Sequence, residues 1–308
     1  MMGTVVTIQI VGHGTNQAER DARDAAVARA VEWFAQIEAC CTRFDAQSEL
    51  RRLCTRVGET VPVGEMLFEP LRFAMAVAHD TDGAFDPTIG GTMEARGFDR
   101  EHRTGLLANS ATAAQAGGSY RDVHVDDVAR TVTIARPLTL DLGAVAKGLA
   151  MDVAARELRP FGDFAIDAGG DVYLGGRNAN HEPWTVGIRH PRAANEVIET
   201  IRVCDMAVCT SGDYERAGVA TDGGHHIVDA RSRTSATLLA SATVVAPHAM
   251  VADALATAAF VLGSEKGIEF LEAHGAAGVL FTQMLERFVT AGFVAERVHT
   301  HDADTQHA

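Results

Sequence analysis

No apolar run in this sequence approaches the ~18–20 residues that a membrane-spanning helix needs, so no membrane span is expected. There is no GxSxG elbow, no HExxH pair and no GxGxxG turn. The serine hydrolase, zincin and Rossmann readings therefore lack their signatures. Basic residues are scarce, with 27 Lys and Arg against 41 Asp and Glu for a net charge of −14. That leaves no positive footprint for nucleic acid, which is not expected as a partner. The five cysteines, Cys40, Cys41, Cys54, Cys204 and Cys209, form no CxxC pair. Their number is odd, and adjacent Cys40 and Cys41 are poorly placed to bridge, so reduced and mostly buried thiols are expected. Met1 and Met2 lead straight into GTVVTIQIVG, with no charged n-region and no small-residue cleavage site. As written the chain reads as cytoplasmic, and as periplasmic if a signal has been trimmed. No repeat of fixed short period is present.

What is present reads as a folded chain, with 47% hydrophobic and 22% charged residues. GTVVTIQIVG alternates and predicts a strand. Thr15 or Asn16 is placed to cap a helix running to about Cys41, with Ala26, Ala30, Trp33, Phe34 and Ile37 as its apolar stripe. Ser48 is a candidate N-cap for a short helix, and Pro70 marks an expected break in the next one. VHVDDVARTVTIA predicts a hairpin turning at Asp126–Asp127. A strand to Leu142, a tight turn and a helix to about Leu158 follow. WTVGIRH, TIRVCDMAVCT and SATVVAP alternate as strands. HAMVADALATAAFVLG predicts a helix closed by Gly263, with Ser264 capping another. The fold class expected is α+β with mainly antiparallel sheets. Residues 1–295 are expected to form one domain, in one or two lobes. Residues 296–308 are expected to be a polar disordered tail, and the segment from about Arg100 to Ser119 to be mobile.

Four stretches carry chemistry. In LDLGAVAKG, Asp141 sits among apolar residues, where burial must be met by a hydrogen bond, a cation or a ligand. Gly143 permits a sharp turn, and the following helix N-terminus with Lys147 suits an anion. This is not a P-loop, because Lys147 precedes Gly148 and Leu149 follows. An ordinary strand-turn-helix with Lys147 in solvent remains an equal reading. DAGGD permits close approach of a ligand to backbone, although a tight hairpin turn is the simpler reading. In PHAMVADALATAAF, Asp253 and Thr257 are four apart on an otherwise apolar helix, hence on one face. Carboxylate plus hydroxyl suits Mg²⁺ completed by carbonyls, waters and phosphates. That reading is preferred to one in which Thr257 bonds its own helix. GGHHIVDARS places His225 and His226 beside a strand-like run, as a candidate general base or as ordinary polar histidines. Ser211 and Gly212 in AVCTSGDYER are anion-binding candidates or a plain turn.

Taken in order, MGT, FDAQSEL, AFDPTIG, LDLGAVAKGLAMD, DAGGDVYLGG, WTVGIRHP, AVCTSGDYER, HHIVD and ADALATAAFVLG resemble the ApbE family, the FAD:protein FMN transferases. The likeness runs from Met2 to about Leu280. It implies an ApbE-like, T-fold-like architecture. It also implies an enzyme that cleaves FAD, attaches FMN by a phosphoester to a Thr or Ser of an acceptor flavoprotein, and releases AMP. Carried over by position, it implies FAD contacts at Met2, Phe44, Ala84, Phe85, Asp86, Asp141, Lys147 and Ile227. Phe44 stands where the family often has Tyr. The resemblance places Mg²⁺ on the Ala144 carbonyl, Asp253 and Thr257. Ala256 stands where a second acid sometimes precedes that Thr, and Ala230 replaces the usual Pro after Asp229. His226 matches the base that deprotonates the acceptor hydroxyl. Two other activities fit the same residues: an Mg²⁺-dependent FAD pyrophosphatase, and a flavin binder without turnover.

Overall fold

The computed structural model describes residues 1–12, 14–100, 118–215, 220 and 223–295. The expected tail 296–308 lies outside the described residues, as does nearly all of the segment 100–119. The chain opens with β1 (Val6–Ile10), α1 (Gln17–Cys41), α2 (Glu49–Thr55), β2 (Thr60–Pro62), α3 (Glu65–Asp80) and α4 (Gly90–Ala95). Next come β3 (Val123–Asp126), β4 (Thr131–Ile134), α5 (Ala146–Leu158), β5 (Phe164–Ala168) and β6 (Asp171–Gly175). Then follow β7 (Trp184–Arg189), β8 (Val197–Val203), β9 (Met206–Gly212), β10 (Val228–Asp229) and β11 (Thr234–Ser235). The described chain ends with β12 (Leu239–Ala246), α6 (Ala249–Leu262), α7 (Ser264–Ala273), β13 (Ala277–Thr282) and β14 (Arg287–Val289).

Seven strands form one sheet in the order β1-β5-β6-β9-β12-β13-β14, with antiparallel neighbours throughout. The α+β expectation holds. Period-2 alternation sorts the faces of β9. Ala207 and Cys209 join the main core beneath the helices, while Val208 packs with Ile188 and Ile201 of the β7–β8 hairpin on the opposite face. Helix α6 lies on β9 and β12, α5 lies against α6, and α1 packs outside α5. The alanines of α6 make this closeness possible, because all six of them are buried with almost no exposure.

Local chemistry explains the elements. Asn16 caps α1 by accepting from Glu19 N at 3.0 Å, and Ser48 caps α2 by accepting from Arg51 N at 3.0 Å. Of the α1 stripe, Ala26, Ala30, Phe34 and Ile37 are buried, and Trp33 at the rim donates to Glu157 at 3.1 Å. All five cysteines are free.

Five expectations change. Helix α3 runs unbroken through Pro70. The Met66 carbonyl, which a proline four residues on cannot bond, accepts instead from the Cys41 thiol at 3.5 Å. The β3–β4 turn is longer than two residues, because Asp126 Oδ1 accepts from both Val128 N and Ala129 N. The chain from Leu140 to Leu142 is not a strand. Its amides bond Cys54 Sγ and the Pro87 carbonyl rather than a neighbouring ladder, leaving one isolated bridge at Thr139. TIRVCDMAVCT is two strands, β8 and β9, in different sheets, with Asp205 at φ 53° where the chain crosses over. Ser264 is the first residue of α7 rather than its cap, since Gly263, at φ 85°, both ends α6 and precedes α7.

One contact sets the α5–α6 geometry. His248 offers α6 no side-chain cap, and the carboxylate of Asp152 on α5 fills that role. It accepts from Ala249 N at 2.7 Å and Met250 N at 3.0 Å. Burial pushes the Asp152 carboxyl upward in pKa, and those two amides oppose the shift. A Cβ at Gly148 would lie 2.5 Å from the Ala249 carbonyl and the Met250 amide, so only glycine permits this approach. Asp152→Ala should lower stability by about 1–2 kcal/mol, the magnitude of a lost helix cap. Chemical denaturation of the purified variant checks this, and an unchanged midpoint would show that water replaces the cap.

Candidate active site

The approach of α5 to α6 brings a charge cluster together at one end of β6 and β9. Lys147, in the first turn of α5, ion-pairs with Asp171 Oδ2 and lies 3.2 Å from Asp253 Oδ2. Both acids are buried, with 7% exposure each. Asp171 opens β6, and its Oδ1 accepts from Thr210 N of β9 at 2.8 Å. Asp253 also takes a hydrogen bond from the Gly148 amide. Burial pushes the Asp253 carboxyl up in pKa, and Lys147 opposes the shift. Cys209, wholly enclosed, is pushed up by burial as well. One helical turn beyond Asp253, Thr257 Oγ1 lies 3.1 Å from Ser211 Oγ on the helix-facing side of β9.

This cluster bears on the expected metal site. Asp253 Oδ2 is buried and faces the Lys147 ammonium. In a regular helix the Gly148 amide would close on the Ala144 carbonyl; here it donates to Asp253. Among the described residues no turn or cap hydrogen bond ends on the Ala144 oxygen. No three His, Cys, Asp or Glu side chains cluster as metal ligands among the described residues. A cation here would depend on one carboxylate, one hydroxyl, one carbonyl and phosphate or water oxygens. That hard, mostly neutral set fits Mg²⁺ better than a softer metal.

A second group surrounds Asp141. Its Oδ1 accepts from Gly143 N at 2.8 Å and its Oδ2 from Arg43 Nε at 2.7 Å. The Arg43 guanidinium stands 4.2 Å from the centre of the Phe44 ring. Ala84, Phe85 and Asp86 are all buried in the loop after α3. Asp86 accepts from Thr88 N and Tyr120 N, each at 2.8 Å, against a burial cost that pushes its pKa up. The next carbonyl, of Pro87, receives the Asp141 amide at 2.7 Å, so the two acidic loops are fastened together.

The third group is the HHI segment. His226 Nδ1 is 3.0 Å from the Glu215 carbonyl. A carbonyl can only accept, so Nδ1 carries the proton and Nε2 is the basic nitrogen. His225 is buried, held by the Ala236 carbonyl at Nε2 and the Ile227 amide at Nδ1, and burial lowers its pKa. Its ring meets Phe260 of α6 edge-on at 5.7 Å, three residues from Thr257. Ile227 is buried in the main core. Met2, at φ 52°, donates its amide to Glu38 at 2.7 Å. Nearby Thr4 rests against Gly169, one of two glycines that turn β5 into β6 just before Asp171.

Of the residues singled out in the sequence, Lys147, Asp253 and Thr257 are thus gathered by α5 and α6. Asp141 and Phe44 meet through Arg43, and His225 ties the HHI segment to α6. DAGGD is a hairpin turn whose last residue also pairs with Lys147. Sequence reasoning missed Asp171 and Arg43. The signal for Asp171 was an acid opening the apolar run VYLGG. For Arg43, an arginine beside a candidate stacking ring, no local pattern points inward.

The comparisons show the family. A model described as the ApbE family matches residues 2–281. An FAD:protein FMN transferase of Haemophilus influenzae is 27% identical, covering 94% of this chain and 86% of its own. One of Treponema pallidum is 32% identical, covering 83% and 76%. The crystal structure of the ApbE protein of Thermotoga maritima superposes with a TM-score of 0.78 at 31% identity, over 94% of both chains. The chain belongs to the ApbE family.

Proposed function

We propose that this protein is an Mg²⁺-dependent FAD:protein FMN transferase. It moves FMN from FAD onto a Thr or Ser hydroxyl of an acceptor flavoprotein and releases AMP. The observation that carries this reading is the group of buried Asp253 with partly buried Lys147 and Thr257, a place for phosphate and a hard cation side by side. Family membership supports the same reading, since the Haemophilus and Treponema relatives are named for this reaction. Mg²⁺ held by Asp253, Thr257 and the Ala144 carbonyl would supply charge neutralisation at the pyrophosphate.

The chain's own groups then divide the work. Lys147 faces the phosphates. Phe44 offers a ring to the isoalloxazine, and Asp141, Asp86, Ala84, Phe85, Met2 and Ile227 line the remainder of the FAD site. His226 Nε2 accepts the proton of the acceptor hydroxyl as its oxygen attacks the FMN phosphorus. One phosphoester bond forms, the phosphoanhydride bond breaks, and AMP leaves with the bonding electron pair. His226 returns its proton to solvent.

Incubation with FAD, Mg²⁺ and the apo form of a flavoprotein whose FMN is phosphoester-linked to Thr tests this. Flavin covalently on the acceptor is expected. Free FMN with AMP would identify a hydrolase instead, and intact FAD a binder.

Two substitutions sharpen the reading. His226→Ala should slow transfer by roughly 10²–10⁴-fold, the usual contribution of a positioned base, while FAD binding stays near that of wild type. Equal loss of binding and rate, read by fluorescence titration and stopped assays, would remove His226 from its role. Asp253→Asn keeps the shape but not the charge, and Asp171 still neutralises Lys147. Folding should therefore survive, with the melting curve near that of wild type, while Mg²⁺-dependent turnover is lost. Thr257→Val should weaken Mg²⁺ dependence less, because a neutral hydroxyl attracts a cation less than a carboxylate does. A folded Asp253→Asn protein that still turns over FAD with Mg²⁺ would move the metal elsewhere.

A further inference from the structure

We infer that Arg43 is a positioning residue that locks the flavin side of the site and the base side into one arrangement. The inference rests on the transferase reading above.

Arg43 follows α1 and is 6% exposed. Its guanidinium uses three edges in three directions. Nε donates to Asp141 Oδ2 at 2.7 Å. Nη2 donates to the Phe98 carbonyl. Nη1 lies 3.7 Å from Glu94 Oε1 on α4. One guanidinium face covers the Phe44 ring at 4.2 Å. Asp141 and Phe44 are flavin-nucleotide positions in the proposed site. The Phe98 ring meets the His226 ring edge-on, with centroids 6.5 Å apart. A single planar cation therefore touches both the residues that face FAD and the residue that backs the base.

The anchor of the cation is itself buried. Glu94 is 8% exposed at its side chain, and neither of its oxygens has a hydrogen bond among the described residues. Arg51 Nη1 lies 3.7 Å from the same Glu94 Oε1, so two guanidiniums flank one carboxylate. Burial pushes the Glu94 carboxyl up in pKa, and Arg43 and Arg51 oppose that shift. An ion cluster that served only to join α1, α2 and α4 would need the charges but not the fork. The directional bonds to Asp141 and Phe98 are what a lysine cannot reproduce, since its ammonium is a point charge on a flexible stem.

Arg43→Lys is the test, read three ways: the FAD dissociation constant by flavin fluorescence, single-turnover FMN transfer at saturating FAD and Mg²⁺, and thermal melting. The acceptor is the apo flavoprotein used above. With melting close to that of wild type, the FAD dissociation constant should rise roughly tenfold through the Asp141 and Phe44 arm. Single-turnover transfer should fall by about 10–10²-fold, the scale of a small misplacement of a reacting group. In a His226→Ala background the same Arg43→Lys change should cost less than about twofold in rate, because no positioned base remains to be displaced. Wild-type affinity and rate in Arg43→Lys would overturn the inference, as would an equal rate loss with and without His226. If Arg43→Lys does not fold, Arg43→Met combined with Glu94→Gln removes both charges together, which buried pairs tolerate better than loss of one, and carries the same three readings. Should the wild-type protein transfer no FMN, the transferase reading fails, and the FAD dissociation constant alone still decides the Asp141 arm.

Discussion

Everything at the candidate site depends on keeping a lysine ammonium and two carboxylates out of water. Charges removed from solvent are tolerated only when paired and hydrogen-bonded. Lys147 meets Asp171 and Asp253, Asp171 is completed by an amide of β9, and Asp253 by the amide of Gly148. Those partners come from α5, α6, β6 and β9, so the arrangement exists only when all four are docked. The cluster is both the chemistry of the site and a constraint on the fold.

The surrounding structure serves that docking through small residues. Gly148 lets α5 approach the first turn of α6, and buried alanines let α6 lie close on β9 and β12. Asp152 then substitutes for the cap that α6 lacks. Packing and polar satisfaction are met by the same helix pair. The two charges that pass between the helices therefore lie beside the buried alanines of α6. A low-dielectric setting strengthens any interaction aimed at a phosphate entering there.

Much of this was legible from residues alone, because period and capping are local. The 3.6-residue stripe of α1, a cap at Thr15 or Asn16, the Ser48 cap and the helix ending at Gly263 follow from short-range sterics and hydrogen bonds. The Asp253–Thr257 spacing placed both oxygens on one helix face before any packing was known. Where local reasoning failed, a distant partner intervened. Pro70 does not break α3 because Cys41 takes up the carbonyl that the ring leaves. The Leu140–Leu142 segment looks like a strand, yet its amides bond Cys54 Sγ and the Pro87 carbonyl. TIRVCDMAVCT alternates without interruption, and alternation cannot say where a chain changes sheets.

The sequence by itself determined most of the element types, the largely antiparallel character and the face shared by Asp253 and Thr257. Each of these depends on contacts within a few residues or on an alternation that repeats along the chain. It also carried the ordered motifs of the ApbE family. Only the tertiary structure decided that Asp171 belongs with Lys147, and that Arg43 joins Asp141, Phe98 and Glu94. The separations involved, 24 residues for Lys147–Asp171 and 98 for Arg43–Asp141, exceed any periodic signal. The physical reason is that a buried charge chooses its partner by proximity in three dimensions, and that proximity is set by how the helices dock, not by spacing along the chain.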